Sequence, residues 1–370
     1  MTAWVKGQAA DPDAAITAAA GLLQGARAPV IAGLSAEVAA LSAAFRLARA
    51  LGASLDPAAS PGLYADLGAL AAGGAMTTTP AEAVGRADLV LVLGEGAAGA
   101  PILADLAASG PTRGRAAGAP RTILSLAAGQ GADYAAGEAG LPAAIGLLRA
   151  HAAGRMAGEA PLADLAARLR AAHYAVLLYD PAETGALGAE MLNGLMRDLN
   201  ETTRAFALPL SDPHQGRAIA QVAAWTTAQG PRVGFGRGFP EHDPWRFDAA
   251  RQAAAGEADA ALWLASLPCP RPDWVRALPG VALLGATPAE PVTGGEAEVV
   301  IAVGVPGESH GGALWHPRRA AIAWQPAAQD TALPAALPSA AAVLGALHAR
   351  LAPAQNPPTG HPVQERSAPC

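Results

Sequence analysis

The sequence predicts an α/β fold in which two parallel β-sheets are covered by helices on both faces. Short strands rich in Val, Ile and Leu alternate with helical segments along most of the chain, a pattern typical of parallel sheets. The length of 370 residues exceeds that of a usual single domain, so we expect at least two domains. We therefore predict one α/β domain at residues 1–152 and a second at 153–338, followed by a C-terminal helix at 339–351 and a disordered tail at 352–370.

The elements of the first half are predicted from caps and from apolar spacing. Asp11 and Pro12 are typical of a helix start, because Asp accepts hydrogen bonds from unpaired amides and Pro has no amide hydrogen. Gly52 is typical of a helix end. In order, we predict a helix from Asp11 to about Gly25, a strand at 28–35, a helix at 35–52, a helix capped by Thr79 and Pro80, a strand at 88–93, a helix from Pro101 and a strand at 121–126.

The second half repeats this alternation beyond a loop around residues 153–161. We predict a strand at 173–180, a helix at 184–200, a helix near 213–224, strands at 258–266, 280–285 and 296–304, and a last helix at 339–351. The tail differs, because residues 352–370 are rich in Pro and have no apolar period. That composition predicts disorder.

The composition limits the class of protein. Hydrophobic residues make up 52% of the chain and charged residues 15%, whereas an average soluble domain carries about 25% charged residues. A surface so poor in charge is typical of an interface in a permanent complex, although an alanine-rich coding bias would give the same composition. The net charge of −6 disfavours nucleic acid as a partner, because phosphate binding usually requires a basic face.

The sequence also predicts that the protein is cytoplasmic and does not cross a membrane. No apolar run of the length that a membrane span needs is free of charged or polar clusters. Asp11 and Asp13 interrupt the N-terminal stretch, which therefore does not resemble a secretion signal. Cys269 and Cys370 are too few for a disulfide framework or a four-ligand metal site.

The stretch DLVLVLGEGAAG (88–99) is a buried strand followed by G-x-G-x-x-G, the form of a dinucleotide-binding fingerprint. The fingerprint also needs an acidic residue at the end of the next strand, but Ser125 and Leu126 stand there. Pro101 is expected to delay the helix after the glycines. These departures disfavour NAD binding at Gly94–Gly99, which stays as the alternative hypothesis.

Other candidate sites are weaker. Gly234, Gly236, Arg237 and Gly238 form either an anion-binding turn or a tight loop, and the loop is the favoured interpretation. Two clusters, Glu241–His242–Asp243 and Glu308–His310–His316, lack zinc-site spacing and are interpreted as polar loops. Cys269 lies between two prolines with no base beside it and is expected to be inert. For Trp225, Trp245, Trp263 and Trp274, core or interface packing is favoured over ligand stacking.

Four segments, taken in order, resemble a known family. They are RADLVLVLG (86–94), LMRDLNETTRAFALPL (195–210), the long block from 225 to 267, and GVPGESHGGALWHPR (304–318). Their order resembles that of the B subunit of formylmethanofuran dehydrogenase, of the molybdopterin oxidoreductase superfamily, over nearly all of residues 10–350. The length, without an N-terminal iron–sulfur segment, looks like the B subunit of the formyltransferase/hydrolase complex of methylotrophic bacteria.

The resemblance implies two Rossmann-like parallel-sheet domains of the molybdopterin oxidoreductase type, with the pterin cofactor held in a cleft at the carboxyl ends of strands. It places seven residues at the lip of that cleft, and we interpret them as vestigial. They are Gly62, Gly94, Glu95, Gly96, Gly234, Gly236 and Arg237.

The chain departs from the redox members of this superfamily in three places. Its N-terminus lacks the cysteines that hold an iron–sulfur cluster. An ungapped match places Gly62, in SPGLYAD (60–66), where those enzymes ligate molybdenum or tungsten through Cys or selenocysteine. The stretch SDP (211–213) replaces a basic element. Since a soft metal needs its thiolate, we predict no catalytic residue, no metal and no cofactor bound by this chain.

The resemblance further implies a role in one-carbon metabolism. The complex moves a formyl group from a tetrahydromethanopterin carrier to methylofuran and releases formate, a step of formaldehyde oxidation. A zinc-dependent A subunit, a C subunit and a formyltransferase D subunit are the implied partners. We expect the B subunit to be an inactive structural partner docked chiefly on A and C. The alternative is a dinucleotide-dependent oxidoreductase that uses the Gly94–Gly99 loop.

A second hypothesis concerns methylofuran itself, which carries a polyglutamyl chain in this family. Four arginines could hold that chain by charge-assisted contacts, although a solvated basic patch is the favoured interpretation. They are Arg113, Arg115, Arg318 and Arg319.

Overall fold

The computed structural model of the protein describes residues 3–58, 60–157, 161–210, 212–287, 291–328 and 337–351. The predicted disordered tail at 352–370 lies outside the described residues. Mixed α/β structure with two largely or wholly parallel sheets is found, and this confirms the predicted fold class.

The strands, in chain order, are β1 Ala3–Val5, β2 Gln8–Ala9, β3 Pro29–Ser35, β4 Ser54–Pro57, β5 Leu89–Leu93, β6 Thr122–Leu126, β7 Ala175–Tyr179, β8 Ala205–Pro209, β9 Val233–Gly234, β10 Glu241–His242, β11 Ala260–Ala265, β12 Gly280–Gly285, β13 Val299–Val303, β14 Gly312–His316 and β15 Ala321–Gln325. The helices are α1 Pro12–Gly25, α2 Val38–Leu51, α3 Ser60–Gly73, α4 Pro80–Arg86, α5 Gly94–Ala98, α6 Ile102–Ala108, α7 Gly140–Ala152, α8 Pro161–Ala171, α9 Pro181–Leu199, α10 Gly216–Thr227, α11 Ala249–Ala254, α12 Asp273–Arg276 and α13 Ala340–Leu351.

The larger sheet has nine strands in the order β10-β9-β4-β3-β11-β12-β13-β1-β2. Its five central strands, β4 to β13 in that order, run parallel, and antiparallel pairs extend both edges. The smaller sheet, β6-β5-β7-β8, is wholly parallel. A separate hairpin, β14–β15, completes the described strands.

The two sheets do not separate at residue 152. The larger sheet takes strands from residues 3–57 and from 233–303, whereas the smaller takes strands from 89–209. The smaller sheet is therefore inserted between β4 and β9. The boundary expected at residue 152 does not coincide with this separation, because β7 and β8 pair with β5 and because β11 pairs with β3. Sequence order alone cannot reveal such an interleaved pairing.

Each sheet is covered on both faces, as its almost continuous apolar strands require. On the larger sheet, one face packs against α1, α2, α10 and α13, and the other carries a smaller cluster around the buried Trp263. The faces of the smaller sheet carry one cluster under α7, α8 and α9 and another under α4 and α6. No helix in the described part of the chain is both long and apolar enough to span a membrane.

The predicted helix caps are found. Asp11 accepts hydrogen bonds from the amides of Asp13 and Ala14 at 2.8 and 3.4 Å. Thr79 accepts one from the amide of Glu82 at 3.3 Å. Gly52 ends α2 with φ +67°, in the left-handed region. Sequence reasoning missed the helices α3, α7 and α8. The glycines and the weak apolar period of α3 disguise it.

The starts of β3 and β11 are joined by Asp259, and this contact predicts an acid-sensitive stability. Its carboxylate accepts hydrogen bonds from the amides of Arg27 and Ala28, both at 2.9 Å. Burial opposes the charge, but these two amides outweigh burial and hold the pKa of Asp259 below its usual value. A carboxyl with a lowered folded-state pKa stabilises the protein above its unfolded-state value and loses that contribution as pH falls further.

We therefore expect Asp259→Asn to lower the free energy of unfolding by about 1 kcal/mol at pH 7, because the side chain is a third exposed. The difference from the natural protein should shrink below about pH 4, where the unfolded carboxyl becomes protonated. Urea unfolding at several pH values measures both effects. Glu138→Gln, an exposed control, should change neither. A difference that stays constant down to pH 2 would contradict the prediction.

Candidate functional site

The fingerprint glycines lie at the carboxyl end of β5, beside the end of β7. Leu93 and Tyr179 are paired across the two strands, so Asp180 and the start of α9 come next to Gly94. Gly94 has φ +81°, a backbone conformation that side chains with a Cβ rarely adopt. Helix α5 begins at this glycine. The expected delay of the helix to Pro101 was therefore wrong.

A glutamate from α9 occupies the turn that a dinucleotide would need. The amides of Glu95 and Gly96 donate to the two carboxylate oxygens of Glu183, each at 2.8 Å. A Cβ added to Gly94 would lie 2.3 Å from Glu183 Oε2, and one added to Gly96 would lie 2.8 Å from Asp180 Oδ2. The two carboxylates therefore fill the space above the turn.

This geometry does not support the alternative of a dinucleotide at Gly94–Gly99. In a dinucleotide fingerprint, the backbone amides of the glycine turn bind the pyrophosphate, and the small glycines let it approach. Here Glu183 already accepts from those amides. A pyrophosphate would also meet the like charges of Glu183 and Asp180 at close range.

Gly62 lies in the first turn of α3, where it contacts the start of α9. A Cβ at this position would be 3.0 Å from the amide nitrogen of Ala182 and 3.2 Å from its Cβ. The missing side chain allows α3 and α9 to approach closely. A cysteine at residue 62 would need Ala182 to move, so the structure leaves no place there for a metal-binding thiolate.

Two polar networks hold the strand ends around this point. In the first, the Tyr179 hydroxyl donates to Asp66 at 2.6 Å, and Arg217 from α10 forms an ion pair with the same carboxylate. Burial raises the pKa of Tyr179 far above its usual value, and the charge of Asp66 adds to this effect. The hydroxyl therefore stays protonated and remains a donor. This network joins β7, α3 and the larger sheet's α10.

Arg232 is the centre of the second network. Its guanidinium pairs with Asp56 at 3.0 Å and with Asp248 at 2.7 Å, and its amide donates to the Tyr64 hydroxyl. Burial raises the pKa of Tyr64 well above its usual value. Tyr64 and Asp66 both belong to the stretch 60–66, in which sequence comparison placed the missing metal ligand. That stretch now supplies structural contacts.

The other predicted cleft positions are also engaged. A Cβ on Gly234 would lie 2.1 Å from the Phe247 ring, and Gly236 lies beside the Gly52 backbone. Arg237 pairs with Glu241 at 3.1 Å. These contacts agree with the favoured interpretation of residues 234–238 as a tight loop.

In the Glu241–His242–Asp243 cluster, the histidine and Asp243 make structural contacts. His242 stacks on Tyr64 and bonds to the Arg232 carbonyl at 2.8 Å, and Asp243 accepts from the amides of Trp245 and Arg246. Within the described ranges, no group of three or more His, Cys, Asp or Glu side chains could hold a metal ion.

A cavity of about 890 Å³ lies between the ends of β7 and β8, the α5–α6 turn and the β14–β15 hairpin. Its lining is mainly apolar. Of the hairpin residues, sequence reasoning considered His316, Arg318 and Arg319 as candidates and did not consider Leu314, Trp315 or Trp324. Residues that line the cavity include Leu178, Leu208, Leu314, Trp315, Arg318 and Trp324.

Comparisons with known proteins identify the family. No family model matches the chain. The B subunit of the formyltransferase/hydrolase complex Fhc of Methylorubrum extorquens is 59% identical over 356 residues, which cover 95% of this chain and 98% of that protein. The chain belongs to this family.

A solved structure of the same family agrees. The crystal structure of the formyltransferase/hydrolase complex FhcABCD from Methylorubrum extorquens, in complex with methylofuran, contains a chain that matches with a TM-score of 0.89 at 59% identity. The match covers 94% of this chain and 98% of that chain. The resemblance inferred from the sequence is therefore confirmed.

The residues around the glycine turn do not fit the pterin–metal group that the resemblance to molybdopterin oxidoreductases implies. Ala182 fills the space beside Gly62, where the metal ligand would stand. The Glu183 carboxylate accepts hydrogen bonds from the amides of the glycine turn. Cys269 does not offer a substitute ligand, because burial raises the pKa of its thiol to about 12, with a further contribution from the charge of Asp212. A thiol with this pKa is protonated at neutral pH and binds metals poorly.

The close approach at Gly62 predicts opposite outcomes for two glycines of α3. Gly68 has open space where a Cβ would be, so Gly68→Ala should stabilise the protein by about 0.5–1 kcal/mol through helix propensity. Gly62→Ala should lose that gain and destabilise by about 1 kcal/mol, because Ala182 is already in contact. Urea unfolding of both variants makes the comparison. Equal stabilisation by the two substitutions would contradict the close packing of α3 against α9.

Proposed function

We propose that this chain is the B subunit of a formyltransferase/hydrolase complex and that it serves there as a non-catalytic structural component. The complex would transfer a formyl group from tetrahydromethanopterin to methylofuran and release formate, in the cytoplasm. The observation that carries this proposal is the 59% identity to the Fhc B subunit over 95% of the chain. Identity spread over both sheets favours a conserved assembly as well as a conserved fold.

The surface supports a role in assembly. Trp245 is 71% exposed and Trp324 is 69% exposed, and Trp225 and Phe239 are also exposed. Large exposed aromatic side chains are typical of protein interfaces, where they become buried anchors. We propose A, C and D subunits as partners, as in the FhcABCD complex, with A and C as the main contacts.

The cleft supports a non-catalytic role. The amides of the glycine turn donate to Glu183, and Ala182 lies close to Gly62. These contacts oppose binding of a pterin–metal group at this place and so support the proposal. We propose that the formyl chemistry takes place on other subunits and that this chain binds no cofactor of its own.

The test is affinity purification of the tagged chain from its own cells, followed by native mass spectrometry and metal analysis. We expect a complex that contains homologues of the A, C and D subunits, with no molybdenum, tungsten or iron assigned to this chain. Recovery of the chain alone, able to reduce a dye with formate, would overturn the proposal. Fluorescence titration with NADH tests the dinucleotide alternative in the same preparation, and we expect no binding to this chain.

A contact with methylofuran is a second proposal. The crystallised FhcABCD complex contains methylofuran, and Arg318 and Arg319 line the large cavity. Arg318 pairs with Asp105 of α6 at 3.3 Å, and Arg113 pairs with Glu82 of α4 at 3.5 Å. Both guanidiniums remain more than half exposed, so each can still bind a second carboxylate, such as one of a polyglutamyl chain.

Replacing Arg113, Arg115, Arg318 and Arg319 together by Gln should weaken methylofuran binding by the assembled complex about tenfold or more, at the scale of several exposed charged contacts. The matched control replaces the exposed Arg46 and Arg49 of α2. Ligand retention after gel filtration measures the effect. Equal retention by both variants would show that the four arginines are only a solvated patch.

A further inference from the structure

We infer that the segment Asp180–Glu183 fills from within the chain the position of an anionic cofactor group, with the Glu183 carboxylate as its resident anion. This inference deepens the proposed non-catalytic role and depends on it only for the identity of the group that is replaced. The sequence of the segment, Asp-Pro-Ala-Glu, follows β7 directly. Three of its residues each lie against a different glycine of the predicted cleft: Asp180 against Gly96, Ala182 against Gly62 and Glu183 against Gly94.

Three local features position the segment over the glycine turn. Asp180 caps α9 by accepting the amide of Ala182 at 2.8 Å, and Pro181 begins the helix. Within α9, Gly185 has φ +62° and ψ 179°, which interrupts the helix two residues after Glu183. The first turn is therefore a separate unit from the rest of α9. It can lean over the ends of β5 and β7 while the remainder of α9 packs on the smaller sheet.

The contacts of Glu183 match those of a bound anion. Its two oxygens each take one hydrogen bond, from the consecutive amides of Glu95 and Gly96. Consecutive amides at a strand-to-helix glycine turn are the donors that bind phosphate in nucleotide sites. Gly94 is needed for the same reason as in such sites, because any side chain there would meet the anion.

The charge of the segment also excludes an external anion. Asp180 presents its second oxygen toward Gly96, so two carboxylates lie at one turn. Among the ion pairs of the described residues, none neutralises Asp180 or Glu183. A cofactor phosphate would therefore have to displace one carboxylate and approach another. Ala182, between them, closes the space beside Gly62.

The inference is tested by hydrogen–deuterium exchange on the purified complex, followed in the peptide that covers residues 93–99. Glu183→Ala should accelerate exchange of the Glu95 and Gly96 amides by about tenfold or more, because both lose their acceptor. Sodium acetate should slow this exchange again in the variant, since acetate supplies a carboxylate of the same shape. The control Glu190→Ala changes an exposed glutamate of the same helix and should match the natural protein with or without acetate.

Glu183→Gln separates charge from packing. The glutamine side chain keeps the shape of the glutamate, but its NH₂ group would face one of the two backbone amides, which is also a donor. Exchange at that amide should therefore accelerate again. Acceleration in this variant supports a resident anion even if the cavity of Glu183→Ala collapses and excludes acetate. Unchanged exchange in Glu183→Ala overturns the inference. A second pair of results would also overturn it. If Glu183→Gln exchanges as slowly as the natural protein and acetate does not slow exchange in Glu183→Ala, the segment contributes packing and no anion.

The proposed function and this inference fail separately. Absence of A, C and D homologues from the purified material would overturn the proposed function and leave the exchange at Glu95 and Gly96 unaffected. Unaltered exchange in a correctly assembled complex would overturn the inference alone.

Discussion

Replacing Arg232 by Met is expected to lower the free energy of unfolding by about 3–5 kcal/mol, the cost of removing one partner from a buried ion-pair network. The guanidinium is 13% exposed, and the carboxylate of Asp56 is 9% exposed. Without Arg232, the buried Asp56 carboxylate would lose its ion pair and keep weaker contacts, among them the amide of Ala249 at 2.8 Å. The Pro244 carbonyl would also lose its donor.

Urea unfolding followed by tryptophan fluorescence measures this loss. Arg46→Met, on the exposed face of α2, is the matched control and should change the free energy of unfolding by less than about 0.5 kcal/mol. The double variant with Asp56→Asn should be more stable than Arg232→Met alone, because it removes a buried carboxylate that has lost its ion pair with Arg232. A single variant as stable as the control would show that the network contributes nothing.

Arg121 is expected to give the second large effect, with a loss of about 3 kcal/mol or more in Arg121→Met. Its guanidinium donates to four carbonyls, those of Ala87 at 2.8 Å, Leu106 at 2.5 Å, Ser109 at 2.6 Å and Val84 at 2.5 Å. These carbonyls lie at the ends of α4 and α6, where helices leave acceptors unpaired. Each hydrogen bond from a charged donor contributes roughly 1.5–3 kcal/mol, although the contributions do not add fully.

A conservative variant distinguishes charge from geometry at this position. Arg121→Lys keeps a cation near the two helix ends, which is favourable, but an ammonium cannot reach all four carbonyls. We expect its stability to lie between those of the natural protein and Arg121→Met. Arg115→Met, at an exposed arginine nearby in sequence, is the control. Equal stability of the Lys variant and the natural protein would contradict the role of the four-carbonyl geometry.

The individual helices and strands and the family could be predicted from the sequence. Their signals lie within short segments or in the order of segments along the chain. Asp11, Thr79 and Gly52 mark helix ends by their own chemistry. The apolar runs of β5 and β11 are shorter than a usual helix, and this length favours strands. The four ordered segments indicated the correct family, because the order of segments along the chain is kept even where individual residues are substituted.

The interleaving of the sheets and the content of the cleft were not accessible, since both depend on contacts across long sequence separations. Glu183 lies 87 residues from Gly96, and its signal was present only as an acidic residue three positions after the Asp180 cap. Gly62 could be recognised as a missing thiolate, but only the position of Ala182 shows that the space is closed. Glycines kept for close packing have the same sequence pattern as glycines kept for a ligand.

The insertion of the smaller sheet also sets an order for folding during synthesis. β3 and β4 leave the ribosome early, but β11, which pairs with β3, follows about 200 residues later, which corresponds to roughly 10–40 s at typical elongation rates. The smaller sheet, completed by β8, has all its strands before that time. The β3–β4 pair must therefore wait with both edges unpaired, because β9 and β11 both follow the smaller sheet, and unpaired edges promote aggregation. Chaperone dependence of the nascent chain should be greatest between the emergence of β4 and that of β11.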